Sequence, residues 1–191
     1  REVFAIAGSN AQGKTTFLEG ILAGMDDHAP RDGRELVVTV RGACVAESTT
    51  MGLAGADISM FFHALPPGVS GTVNGASGRG SGSMTMAHQI QTAIALHAPL
   101  LIIDEDRAAA NLLVKSCLQK EEITPLSEIL GREREKMGDT ALVFAACAMD
   151  TLIARADRIM VLDRHEAKTI DPPEFRHKLA RLLRKAADGL E

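Results

Sequence analysis

Eight consecutive residues constrain this chain more than anything else in it. Gly8-Ser9-Asn10-Ala11-Gln12-Gly13-Lys14-Thr15 satisfies the pattern G-x-x-x-x-G-K-[ST] at every position. Each requirement has a physical cause. Glycines let successive amides turn inward around one phosphate. A helix opening at Gly13 points its free amides and positive dipole end at the same anion. Lys14 brings a compact charge for the β- and γ-phosphates, and Thr15 brings a hydroxyl for Mg²⁺. The context agrees: apolar residues 3–7 precede the loop as a strand, and residues 14–22 follow as a helix closed by Gly24. The expected ligand is a nucleoside triphosphate, held by Gly8, Ser9, Asn10, Ala11, Gln12, Gly13, Lys14, Thr15 and the adjoining Thr16.

Such a loop needs a carboxylate at the end of a neighbouring parallel strand. Residues 100–103, Leu-Leu-Ile-Ile, are continuously apolar, as in a strand covered on both faces. They run into Asp104-Glu105-Asp106. Asp104 is the expected support for Mg²⁺, through water. Glu105 comes next, and its carboxylate is placed to polarise the attacking water as general base. Asp106 has no role that its position dictates.

The rest of the chain reads as alternating strands and helices, an α/β layered fold. Residues 36–41 and 44–47 pattern as a hairpin across Gly42-Ala43, and residues 55–59 as a strand. Residues 74–83, almost all Gly and Ser, read as a flexible linker. Helices are expected at residues 84–96, 108–118, 125–137 and 149–155, and strands at 140–146 and, finally, 158–162. Asp171-Pro172-Pro173-Glu174 has the form of a capped helix start. The organisation is thus a core over residues 1–170 and an amphipathic basic helix over 171–191. On that helix Phe175, Leu179, Leu182 and Leu183 share one face. Arg176, Lys178, Arg181, Arg184 and Lys185 gather on the other, as a solvated surface or a contact for RNA phosphate or an acidic partner.

Composition removes several classes of function. The formal net charge is −4, which opposes a whole-domain grip on nucleic acid. Six Phe are the only aromatics, with no Trp and no Tyr, so base-stacking sheets and aromatic cages are excluded. Three well-separated cysteines point to reduced thiols in an intracellular setting, cytoplasm or mitochondrion. No apolar run is long enough for a transmembrane helix.

Asp104-Glu105, preceded by a helix opening on Ser81-Gly82-Ser83, resembles the ABC-class ATPases, where Ser-Gly-Gly opens the helix leading into the acidic strand. More closely, the chain resembles the family of predicted ATPases of the ABC class. The likeness lies in the Walker A loop, His28-Ala29-Pro30-Arg31-Asp32-Gly33-Arg34-Glu35, Ala56-Asp57-Ile58-Ser59, Ser81-Gly82-Ser83, Asp104-Glu105-Asp106 with Asn111, and Ile123-Thr124-Pro125. It implies a three-layer P-loop NTPase domain of ABC-ATPase type with a mostly parallel central sheet. It also implies a head-to-tail homodimer that sandwiches two Mg-ATP. In that arrangement Ser81, Gly82 and Ser83 of one subunit cap the γ-phosphate held by Walker A of the other. ATP closes the dimer and hydrolysis opens it.

The departures are local. The family has Asp-Thr-Ser-Ala-Thr-Asn where this chain has Asp106-Arg107-Ala108-Ala109-Ala110-Asn111, so three hydroxyls are absent. ABC ATPases commonly carry a histidine after the next strand, where this chain has Ala146-Cys147-Ala148. The glutamine of their Q-loop has no clear counterpart, with Asp57 or Ser59 in about its place. These departures imply slow hydrolysis. Two other readings stay open. One is an ATP-responsive scaffold with RNA or RNA-processing proteins as partners, since some relatives are associated with mitochondrial RNA processing. The other is a small-molecule kinase, which leaves Ser81, Gly82 and Ser83 without a task. ABC ATPases also stack adenine on a ring upstream of Walker A. Phe4 lies within the strand feeding the loop, so the platform is expected outside this chain, as part of a larger protein.

Overall fold

The computed structural model describes residues 2–26, 29, 31, 33, 40–118, 122–164 and 166–190. Its strands are β1 (Val3–Ala7), β2 (Cys44–Val45), β3 (Gly52–Ala56), β4 (Val69–Thr72), β5 (Gly75–Arg79), β6 (Leu100–Asp104), β7 (Ala141–Ala146), β8 (Arg158–Asp163) and β9 (Glu166–Ile170). Its α-helices are α1 (Lys14–Ala23), α2 (Gly82–Ala95), α3 (Ala110–Leu113), α4 (Leu126–Arg132), α5 (Asp150–Ile153) and α6 (Pro172–Asp188).

Among the described residues, six strands form the central sheet in the order β2-β6-β7-β1-β8-β9. Every neighbouring pair is parallel except β8 and β9. Helices cover both faces, which is why β6 is buried at all five positions and reads as a continuous apolar run. Alternation assigns the faces. Ile6, Ile102, Val143 and Leu162 pack with Leu18 of α1. Leu101, Ile103, Leu142 and Phe144 pack in the opposite layer, with α2, α4 and α5. Met84 and Met86 of α2 lie in that layer and are fully buried, so they are core residues. The expected three-layer α/β architecture is present.

A second sheet, β3-β5-β4, is antiparallel, and its central strand β5 lies in the stretch expected as a Gly/Ser linker. The ladder between β4 and β5 is made by main-chain groups and needs no apolar side chains; Ala76 alone is fully buried there. Small residues are required in this hairpin: a Cβ on Gly71, at φ 94°, would stand 2.3 Å from the Gly75 carbonyl oxygen. The strand expected at residues 55–59 is shifted to β3, with a register irregularity between Leu53 and Ala56.

Other expectations also change. Cys44–Val45 pairs in parallel with Leu101 and Ile102, and the first arm of the expected hairpin lies largely outside the described residues. The helix over 108–118 contracts to α3, because Ala108 and Ala109 are extended and Val114 ends the turn in a β conformation. Residues 158–162 are not the final strand. β9 follows, a largely exposed strand in which only Ile170 packs against the core, so its sequence carries little apolar signal. The helix start at Asp171 is as expected, its Oδ2 accepting the Glu174 N–H at 3.1 Å with Pro172 in the first turn. Only Leu179 of the expected apolar face is buried, while Leu182 and Leu183 are more than half exposed.

Candidate functional site

β1 lies between β7 and β8, so the loop at its C-terminal end stands over the middle of the sheet. Gly8 leaves the strand at φ 142°, and a Cβ there would meet the Leu162 carbonyl oxygen at 2.4 Å. The close approach to the end of β8 therefore demands glycine. Ala11, at φ 59°, and Gly13, at φ 93°, both adopt left-handed conformations, a backbone form from which anion-binding loops are built. Gln12 Oε1 accepts the Arg164 N–H at 2.6 Å and ties the loop to the turn after β8. Lys14 is 9% exposed, and its Nζ donates to the carbonyl oxygens of Gly8 and Ser9, each at 2.8 Å. Hydrogen bonding of this kind is what lets an ammonium be buried. The loop faces an open cleft of about 670 Å³ walled by residues 10–17, Asp106 and Leu162.

β6 is separated from β1 only by β7, which sets Asp104 beside the start of α1. The Thr15 hydroxyl donates to Asp104 Oδ2 at 2.8 Å. Asp104 is 9% exposed, and its Oδ1 accepts the Asp106 N–H at 3.2 Å, which shapes a single 3₁₀ turn over Glu105–Arg107. A hydroxyl and a carboxylate in contact are hard oxygen donors, the ligand type Mg²⁺ prefers, so these residues fit the ion. Glu105 points elsewhere. Its Oε2 accepts the N–H groups of Cys147 and Ala148, in the turn after β7. Backbone amides thus occupy the surroundings where the resembling family commonly offers a histidine.

Ser81, Gly82 and Ser83 open α2 and do not wall the phosphate cleft. The Ser81 hydroxyl accepts the Met84 N–H at 3.4 Å as N-cap. The Ser83 hydroxyl donates to Asn111 Oδ1 at 2.8 Å. Gly82 sits so close to Ser48 that a Cβ would come within 1.9 Å of its Oγ.

A family model of the ABC ATPase P-loop domain matches residues 1–187. The chain belongs to the ABC ATPase family. An uncharacterized protein of Methanocaldococcus jannaschii is 45% identical over 183 residues. The chain spans only 41% of that relative's length, while the match takes in 95% of the chain. Two solved structures share the fold. One is cbiO1 from Clostridium perfringens, part of the ABC transporter complex cbiONQ. It has a TM-score of 0.59 and 16% identity, and the match covers 96% of this chain and 82% of that one. The other is described as a metal-chelate type ABC transporter in an inward-facing conformation. Its TM-score is 0.55 at 16% identity, covering 91% and 73%. Neither the archaeal relative nor these structures support a mitochondrial setting. Among the described residues no helix is long and apolar enough to cross a membrane.

In this ABC ATPase domain the segment leaving the sheet beside Asp104 is residues 46–49, not the region of Asp57 and Ser59. Ala46 N–H still pairs with Ile102 O at 3.0 Å, and Ser48 N–H donates to Arg107 O at 2.7 Å. Arg107 also reaches Glu47 at 3.8 Å and Glu19 of α1 at 4.0 Å. Asp57 lines a separate surface pocket with Ser59 and Gln91. Burial alone would raise its pKa. Hydrogen bonds from the Ser59 main chain and hydroxyl and from Gln91, with His88 nearby, outweigh burial and hold it below the ordinary carboxylate value. Phe4 lies under the Arg158 guanidinium, 5.3 Å from its ring centre, and not over the cleft. Of the resembling segment at residues 28–35, only Ala29, Arg31 and Gly33 fall within the described residues; His28 and Arg34 lie outside them.

Sequence reasoning missed Leu162, Arg164, Ser48 and the amides of Cys147 and Ala148. Main-chain groups supply most of these contacts, and a carbonyl or amide leaves no mark on residue identity. Asp106, whose position in the sequence dictates no role, donates its N–H to Asp104 and is one of the residues walling the cleft.

Proposed function

We propose that this domain binds Mg-ATP on residues 8–16 and hydrolyses it slowly in a head-to-tail homodimer, so that nucleotide state sets conformation. The Thr15–Asp104 hydrogen bond, which joins the end of the glycine loop to the end of β6, carries this reading. Loop amides and the α1 N-terminus bind the phosphates, and Lys14 adds its charge to the β- and γ-phosphates. Mg²⁺, when bound, neutralises charge that develops on the phosphates during transfer to water. Thr15 and Asp104 are the chain's share of its ligands. Among the described residues no cluster of three or more His, Cys, Asp or Glu gathers to hold a metal. That suits an ion completed by phosphate and water. Glu105 takes the proton of the attacking water, its carboxylate steadied by the Cys147 and Ala148 amides. Gly82 and the first amides of α2 cap the partner's nucleotide, with Ser81 and Ser83 shaping that turn. Nothing specific favours the RNA-scaffold or kinase readings.

The test is calorimetric titration with Mg-ATP, phosphate-release kinetics and light scattering on the full chain. Expected are ATP binding, an ATP-dependent dimer and slow phosphate release that Glu105→Gln abolishes while trapping the dimer. A chain that stays monomeric with Mg-ATP bound overturns the sandwich. Absence of binding overturns the reading as a whole.

A further inference from the structure

We propose that Phe17 forms a base subsite in the nucleotide cleft, where its ring stacks on a purine and reads the face of the base without reading its edge. The proposal rests on the ATP-binding reading above. It places within this chain a ring that was expected outside it.

Helix geometry assigns the place. Thr15 of α1 bonds Asp104, and Glu19 approaches Arg107 at 4.0 Å, so both lie on the flank of α1 that faces the end of β6. An α-helix turns about 100° per residue, so Phe17 stands roughly 200° from each, on the opposite flank. In the sheet β7 and β6 lie to one side of β1 and β8 to the other, so that flank faces β8. Leu162, near the end of β8, walls the same cleft as Phe17. Ile21, one turn further along the row, is half-buried against the layer that holds Leu162, which gives the ring a supported footing. The cleft thus has two ends. Thr15 and Asp106 mark the one near β6, and Phe17 and Leu162 the one near β8.

Exposure and chemistry assign the task. Phe61, Phe62 and Phe144 are buried, and Phe4 and Phe175 half-buried, while Phe17 is 39% exposed. Among the described residues it is the one aromatic ring walling the cleft. A ring left in water forgoes the gain of burial, and contact with a flat base recovers it. Oxygen donors gather at the β6 end, which suits metal and phosphate. The β8 end offers apolar side chains, which suit a base. Phe17 and Leu162 carry no side-chain donor or acceptor. Gln12, on the same wall, has both ends of its amide engaged: Oε1 accepts the Arg164 N–H at 2.6 Å, and Nε2 donates to Asn10 O at 3.4 Å. Stacking accepts any base and grows with the size of its π-face, so this end sorts purine from pyrimidine and treats adenine and guanine alike.

The test is calorimetric titration of the full chain with Mg-ATP, Mg-GTP, Mg-UTP and Mg-tripolyphosphate, the last carrying the phosphates without a nucleoside. Expected are ATP and GTP within about threefold of one another and UTP about fivefold weaker. Phe17→Ala should weaken ATP and GTP about tenfold, the loss of one base–aromatic stack, and leave tripolyphosphate within about twofold. Phe17→Leu keeps an apolar side chain without a π-face and should follow Phe17→Ala. Phe17→Trp should retain ATP affinity. The chain has no Trp and no Tyr of its own, so the emission of this variant reports that ring alone. ATP should change the emission where tripolyphosphate does not, a readout that does not depend on the truncated variants folding. The subsite is overturned, with phosphate binding left standing, by unchanged ATP affinity in Phe17→Ala, by equal losses of ATP and tripolyphosphate, or by an emission that both ligands change alike. A strong preference between ATP and GTP overturns readout by the face alone. A wild-type chain that binds neither ATP nor tripolyphosphate overturns the subsite together with the reading beneath it.

Discussion

Thr15 and Asp104 stand 89 positions apart in the chain and share a hydrogen bond of 2.8 Å. It joins the first turn of α1 to the end of β6, two strands away in the sheet. On the proposed Mg-ATP reading, removing the hydroxyl takes one oxygen from the ion's ligands; it also leaves a buried carboxylate with one partner fewer. Thr15→Ala should weaken Mg-ATP binding by about tenfold or more, the range for a hydrogen bond to a charged group. Calorimetry with and without EDTA checks this. The wild-type chain should lose affinity on chelation, and the variant should lose much less.

Glu105 offers a separable prediction. Its Oε2 is held by the Cys147 and Ala148 amides, away from the Thr15–Asp104 pair. Glu105→Gln should leave ATP affinity within about twofold and lower turnover roughly 10²–10⁴-fold, the usual contribution of a general base. Cys147→Pro deletes one of the amides and should also lower kcat with KM little changed, whereas Cys147→Ala should behave as wild type. Equal turnover in the proline and alanine variants would remove the amides from the catalytic account.

The loop glycines separate close contact from backbone strain. Gly8 combines φ 142° with a backbone oxygen 2.4 Å from any added Cβ. Gly13, at φ 93°, has nothing within 4 Å of its Cβ position. Gly13→Ala should cost only left-handed strain, about 1–2 kcal/mol. Gly8→Ala adds displacement of β8 and should cost more, about 3 kcal/mol. Urea unfolding of both variants reads the difference as a lower midpoint for Gly8→Ala at unchanged slope.

Asp157 links stability to acid. Its Oδ2 accepts the Val3 N–H at 2.8 Å, and Arg134 bonds both carboxylate oxygens. Burial acts to raise its pKa, but the Arg134 hydrogen bond and charge with the Val3 bond hold it below the ordinary value. A depressed carboxylate adds stability that is complete above its unfolded pKa, near 4, and is lost as pH falls through the lower folded value. Asp157→Asn should therefore be less stable than wild type at neutral pH, and the gap should close as the solution is acidified below pH about 4. Thermal melts across that range measure it. A gap that stays constant with pH would show that the carboxylate charge is not what matters.

Local pattern carried a large part of the fold. The apolar run at residues 100–103, the glycine loop and the capped start at Asp171 all appear where contiguous residues place them. The misreadings share a cause. β5 and β9 are strands held by main-chain ladders with few buried side chains, so their composition resembles linker and loop. α3 stops short because Ala108 and Ala109 are extended where the chain leaves the Glu105–Arg107 turn, although alanine favours helix.

The phosphate loop was legible from one end to the other, because each of its requirements is met by a residue's own backbone freedom or side-chain charge. The place of the acid pair was legible too, since a continuous apolar run ending in Asp104-Glu105 reads as a buried strand with its acids at the C-terminal end. Which groups those residues touch was not. The chain's return through β8 puts Leu162 O against Gly8, and β7 brings two amides to Glu105. The segment after β2 sets Ser48 against Gly82. Those partners are backbone groups or small residues brought together by strand order, and strand order depends on packing across the whole sheet. Neighbours in sequence determine φ, charge and apolar face; neighbours in space determine which oxygen meets which hydrogen.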